Sequence, residues 1–168
     1  MKKLLVIAIL TLAMSALVFG FGIEIGGGVN MLSLLGLSAP IPTVAAGVVV
    51  PIMGPFSLTG QVDALFSFSD NSSMAFIILG GGRYTFDVSN MKIFAGVDGG
   101  IMTGFSSTQS GSQMLPIFGV NGGVNFGMFY LKGAMRWLSV TYSYGETSGP
   151  TTILLNLTEL TGGLYFEF

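Results

Sequence analysis

From residue 21 onward, apolar and polar positions alternate in runs of about ten to thirteen residues, each closed by a short Gly, Pro or polar break. The final run is the clearest: Leu160, Gly162, Leu164, Phe166 and Phe168 share one face, and Glu159, Thr161, Gly163, Tyr165 and Glu167 the other. The first run sets Phe21, Ile23, Ile25, Val29 and Met31 against Glu24, Gly26, Gly28 and Asn30. A third sets Leu58, Val62, Ala64, Phe66 and Phe68 against Thr59, Gln61, Asp63 and Ser67. A period of two is that of a β-strand, and about ten tilted residues suffice to cross a bilayer.

Continued along the chain, this pattern predicts eight strands, at about 21–32, 42–53, 56–68, 74–86, 91–104, 114–126, 131–143 and 158–168. Ten shorter strands are the rival, because 119–127 alternates poorly and 151–158 reads as a further short run or a loop helix. Short breaks at Gly54-Pro55, Asp87 to Asn90 and Gly127-Met128 are expected as periplasmic turns. Longer ones at 33–41, 69–73, 105–113 and 144–157, rich in small polar residues, are expected as external loops. An unpaired backbone group is costly in hydrocarbon, so strands that cross a membrane must close on themselves. The fold class expected is therefore all-β: a closed antiparallel up-and-down transmembrane β-barrel over 21–168.

Residues 1–20 differ. Lys2 and Lys3 precede the apolar stretch from Leu4 to Phe19, which has the form of a signal peptide and is shorter than a spanning helix. Cleavage is expected after Gly20 or, alternatively, after Ala16; retention as an anchor is the other reading. Without cysteine there is no lipoprotein anchor.

Composition narrows the chemistry. Only 8% of residues are charged and 51% are hydrophobic, too little charge to dress a soluble surface. A secreted lipocalin-like barrel is disfavoured on that ground. Absence of histidine and cysteine removes the usual general base and the common metal ligands, so no enzyme, metal or cofactor is expected. The glycine pairs and triplets lack nucleotide-loop spacing. Net charge is -2, and becomes more negative once Lys2 and Lys3 leave with the leader, which argues against a nucleic-acid partner.

A charge on the lipid face is expensive, so the rare ones are assigned to the lumen. Glu24, Asp63, Arg83, Asp98, Arg136 and Glu167 are the candidate luminal polar network, with Arg83 and Asp98 in diagonal reach across adjacent strands. Such a network either plugs the barrel or lines a narrow aqueous path or ligand site, the latter walled by Gly28, Gly81, Gly96 and Gly100. Trp137, Tyr84, Tyr130, Tyr142, Tyr144 and Tyr165 are read as headgroup anchors or as ordinary core aromatics.

The ending Gly163-Leu164-Tyr165-Phe166-Glu167-Phe168 resembles the terminal strand of bacterial outer-membrane barrels, and with the leader the plan is similar to the small eight-stranded OmpA/OmpX-like superfamily. That resemblance implies residence among outer-membrane lipids and recognition of the Phe168 end by periplasmic chaperones and the barrel-assembly machinery. The function expected is a structural or interaction barrel with surface-exposed loops. A small channel or a carrier of an apolar ligand is the alternative.

Overall fold

The computed structural model describes residues 20–34, 37–67, 73–105, 114–142 and 151–168. The leader and the centres of the expected external loops lie outside these residues. Eight strands follow one another: β1 (Gly22–Leu34), β2 (Leu37–Met53), β3 (Phe56–Ser67), β4 (Ser73–Val88), β5 (Met91–Phe105), β6 (Met114–Phe126), β7 (Phe129–Tyr142) and β8 (Thr151–Glu167). Each pairs antiparallel with its sequence neighbours, and β8 pairs with β1, so the sheet is a closed barrel in chain order. No described helix is long and apolar enough to cross a membrane.

Alternation decides which face each residue takes. Ile25, Val29, Val44, Val62, Ile78, Val97, Val120, Leu131 and Leu160 are exposed on the outside, a belt that suits hydrocarbon and not water. Aromatic rings gather on that exterior near the turns. Phe56, Tyr84 and Phe86 pack edge to face and tilted, Phe126 lies against Phe129, and Phe21 stacks on Phe168 at 5.1 Å. Of these rings Tyr84 carries a polar edge that sits well where tails meet headgroups.

Gly54-Pro55, Ser89-Asn90 and Gly127-Met128 make the three short turns. Gly54, Ser89 and Gly127 hold positive φ there, 54°, 56° and 61°. The expected turn at Asp87 to Asn90 is thus tighter than its sequence implied, since β4 runs on to Val88. Two expected loops also shrink. β1 reaches Leu34 and β2 starts at Leu37, where a loop over 33–41 was expected, and β8 begins at Thr151 inside the expected loop 144–157. The sequence at 151–158 is neither a ninth strand nor a helix but the external end of β8.

Closure between β1 and β8 sets Gly26 opposite Gly163 and Gly27 opposite Gly162. A side chain at Gly28 or Gly100 would run into the carbonyl oxygen of Leu160 or Ile78. These two glycines allow neighbouring backbones to approach as the sheet curls to a small radius.

Candidate functional site

The lumen has two tiers. Toward the periplasmic end it is polar. On β1, Glu24 faces in because Ile23 and Ile25 face out, and its Oε1 lies 2.5 Å from Nη1 of Arg83 on β4. The Arg83 guanidinium also lies over the Phe94 ring, 3.7 Å from its centroid, a cation–π contact. Above this pair, Arg136 on β7 is fully enclosed. Its Nη1 donates to Glu159 on β8 and sits 3.4 Å from Asp63 Oδ2 on β3, while Nη2 is 3.4 Å from Asp98 Oδ2 on β5.

One guanidinium therefore gathers carboxylates from three other strands. Lys132 Nζ donates to Gln61 and lies 3.5 Å from Glu159, and Gln61 donates in turn to Asp63 at 2.5 Å. Asn121 donates to Asp98 at 3.0 Å, and Thr161 to Glu159 at 3.0 Å. A void of about 20 Å³ lies beside Glu24, Gln61, Arg83 and Lys132, the room of roughly one water.

The external tier is apolar. Leu65, Ile77, Leu79, Ile117, Leu138 and Leu157 form a buried cluster inside the barrel, with Leu32, Ile41, Ala75, Met102, Leu115 and Leu155 packed against it. Asn30, bonded to Thr43 at 2.7 Å, lies among the last polar groups of the lower tier. At the opposite end the lumen below Arg83 opens into a vestibule of about 140 Å³ lined by Val49, Arg83, Thr85, Asn125 and Tyr165 among others, and a hollow of about 420 Å³ lies on its rim between Lys92, Met128, Glu167 and Phe168.

Of the six residues expected in a luminal network, Glu24, Asp63, Arg83 and Arg136 are buried inside and Asp98 is half-buried there. Glu167 is not among them. It sits exposed at the periplasmic mouth, 2.7 Å from Lys92, because β8 ends there and its last inward position overhangs water. Arg83 and Asp98 are diagonal neighbours, since Arg83 faces Gly96 and Asp98 faces Gly81. They nonetheless choose other partners, because in so narrow a barrel inward side chains converge on the axis and a group across the lumen is within easier reach.

Lys132 and Glu159 are the functional candidates that sequence reasoning left out of the network. Period two from Arg136 back through Ala134 reaches Lys132, and Glu159 already stood on the inward face of the last strand, so the signal was present for both. Tyr130 is buried in the lumen and Tyr165 lines the vestibule, which makes neither a headgroup anchor. Tyr84 and Trp137 do face outward against Phe56 and Phe118. Tyr142's side chain and Tyr144 lie outside the described residues.

No protein-family model matches the chain, and no curated protein matches it. Solved structures do. Neisserial surface protein A superposes with a TM-score of 0.66 at 14% identity, over 88% of this chain and 97% of that one. Ail, the attachment invasion locus protein of Yersinia pestis, crystallised with the heparin analogue sucrose octasulfate, gives 0.55 at 12% identity over 88% and 99%. The outer membrane protein OprG from Pseudomonas aeruginosa gives 0.50 at 8% identity over 88% and 96%.

The chain thus has the fold of the small eight-stranded outer-membrane barrels. With its apolar belt and aromatic rim, it is a transmembrane barrel of the outer-membrane type.

Proposed function

We propose that this protein is a non-conducting structural and interaction barrel of the outer membrane, which presents its external end at the cell surface and catalyses no reaction. The observation that carries this reading is the Arg136 centre. Arg136, Asp63 and Glu159 have no solvent-exposed side-chain surface, and with Asp98 they fill the cross-section. An eight-stranded barrel is only wide enough to be filled by its side chains or to hold one small ligand, and here charged side chains from β3, β5, β7 and β8 meet at its middle. In this reading the Phe168 end is what the assembly machinery recognises. The surface role lies with the external loops, since the periplasmic turns are only two residues long.

The test is electrical. The purified barrel, inserted in a planar bilayer in molar salt, should show no stepwise conductance, while the Arg136→Gly/Glu159→Gly variant, which removes the centre, should open measurable steps if it remains folded. Reproducible steps from the unaltered protein would replace the reading with that of a narrow channel.

A further inference from the structure

Asn125 stands near the end of β6, where Val124 and Phe126 turn outward and its own side chain turns into the barrel mouth. It is 3% exposed, and neither Oδ1 nor Nδ2 has a hydrogen-bond partner. Among the described residues it is the one side chain whose two amide atoms are both buried and unpaired. An unpaired buried donor and acceptor are costly in the free barrel, and a group that supplies both partners removes that cost.

Two hollows open in front of Asn125. One is the vestibule of about 140 Å³ below Arg83, the other the rim hollow of about 420 Å³. They share Lys92, Asn125, Tyr165 and Glu167. The Lys92–Glu167 ion pair joins β5 to β8 past β6 and β7 and stands between the hollows as a crossbar. Its side chains are 41% and 55% exposed, so the pair is weak and readily displaced. The vestibule has the room of several waters, the bulk of one small residue, and the rim hollow has room for more of a chain beyond the crossbar.

Charge and shape choose the occupant. Both cations of this end already face carboxylates: Arg83 bonds to Glu24 and Lys92 to Glu167, with Asp87 directly across the ladder from Lys92. No surplus of positive charge calls for a phosphate or a carboxylate, which favours a neutral ligand. The Asn125 carboxamide presents its N–H and its oxygen side by side. An extended peptide residue presents N–H and C=O on one edge in the same way, as in an antiparallel ladder whose facing residues exchange both bonds. A lone trans amide, such as the acetamido group of a sugar, points the two in opposite directions and meets only one of them.

We propose that the periplasmic mouth binds a short extended peptide segment, with the backbone N–H and C=O of one residue paired to Asn125. That residue occupies the vestibule, and the chain leaves through the rim hollow past the Lys92–Glu167 crossbar. Arg83 Nε, also buried and unpartnered beside the vestibule, supplies a donor for a further carbonyl oxygen. The Arg136 centre above keeps the peptide at the mouth. This inference goes beyond the structural reading and does not depend on it, since a sealed and a conducting centre leave the mouth unchanged.

The experiment uses the ¹⁵N-labelled barrel in phosphatidylcholine bicelles, with the Asn125 side-chain NH₂ signals identified by their loss in Asn125→Asp. N-acetyl-trialanine N-methylamide should move those signals downfield and saturably. Its counterpart with each alanine replaced by lactate keeps the shape but has no residue with both N–H and C=O, and it should bind about tenfold more weakly, the worth of one hydrogen bond to a buried partner. Asn125→Asp keeps an acceptor and loses the donor, and affinity for the peptide, read from the backbone signals of Lys92 and Tyr165, should fall by a similar factor. If that variant does not fold, the lactate comparison on the unaltered barrel decides. Trialanine with free ends forms a second arm: binding as tight as the capped form points to free oligopeptides, and weaker binding to the interior of a longer chain. No saturable shift with either peptide overturns the site. Equal affinity for peptide and lactate counterpart overturns pairing to Asn125, and a response to N-acetylglucosamine without one to the peptides overturns the choice of ligand.

Discussion

Arg83 on β4 bonds to Glu24 on β1 at 2.5 Å, passing over Asp98 on the adjacent strand. Both side chains are nearly fully enclosed, and a buried charge that loses its partner costs several kcal/mol. Arg83→Leu or Glu24→Leu alone is expected to cost about 3–5 kcal/mol, and the double variant clearly less than the two together. Urea unfolding in detergent, followed through Trp137, the single tryptophan, measures all three. By contrast Lys92 and Glu167 pair in the open mouth, and Lys92→Ala should cost less than about 1 kcal/mol. Equal losses at the two sites would show that enclosure does not set the strength of these pairs.

Arg136 answers three carboxylates at once. Arg136→Met keeps most of the bulk but leaves Asp63, Asp98 and Glu159 facing each other, with Lys132 as their remaining cation among the described residues. We expect it to be the most damaging single exchange in the lumen, by at least about 3–5 kcal/mol. The gel temperature at which the folded band converts to the unfolded one should drop further than for Arg83→Leu, and a smaller drop would count against Arg136 as the centre of the plug.

Gly100 and Gly82 separate crowding from mere glycine content. Alanine at Gly100 meets the Ile78 carbonyl oxygen, whereas at Gly82, on the lipid face, nothing lies within 4 Å. Gly100→Ala should destabilise by about 1–3 kcal/mol through forced backbone movement, and Gly82→Ala should be neutral or gain up to about 1 kcal/mol. The same unfolding titration compares them, and similar values would mean that the barrel can widen to take the methyl.

The strands were legible wherever inside and outside differed in polarity. Glu24 between Ile23 and Ile25, or Asp63 between Val62 and Ala64, leaves no doubt about face. Toward the external end that contrast disappears, because the interior is apolar too. Ile153-Leu154-Leu155 carries hydrophobic side chains on both faces, so the external end of β8 did not alternate and was read as loop or separate run. Leu37 to Ile41 read as a loop because a proline breaks a ladder, yet β2 stays paired with β1 through Pro40 and Pro42. Ion-pair choice was not legible for another reason. Adjacent-strand geometry follows from a turn, but the meeting of β1 with β4, or of β3 with β7, depends on the diameter and stagger of the closed wall.

The glycine facing between β1 and β8 bears on how the chain ends find each other. Gly26-Gly27 against Gly163-Gly162 offers no side chains to interlock, so the middle of this junction is smooth and by itself would permit sliding. Alignment must come from the pairs on either side of it: Phe21 stacked on Phe168 at one end, and at the other Glu159, which Arg136 holds from the next strand beside Asn30. The last join in the cylinder is thus a bare zipper, able to shift until the side chains flanking it engage.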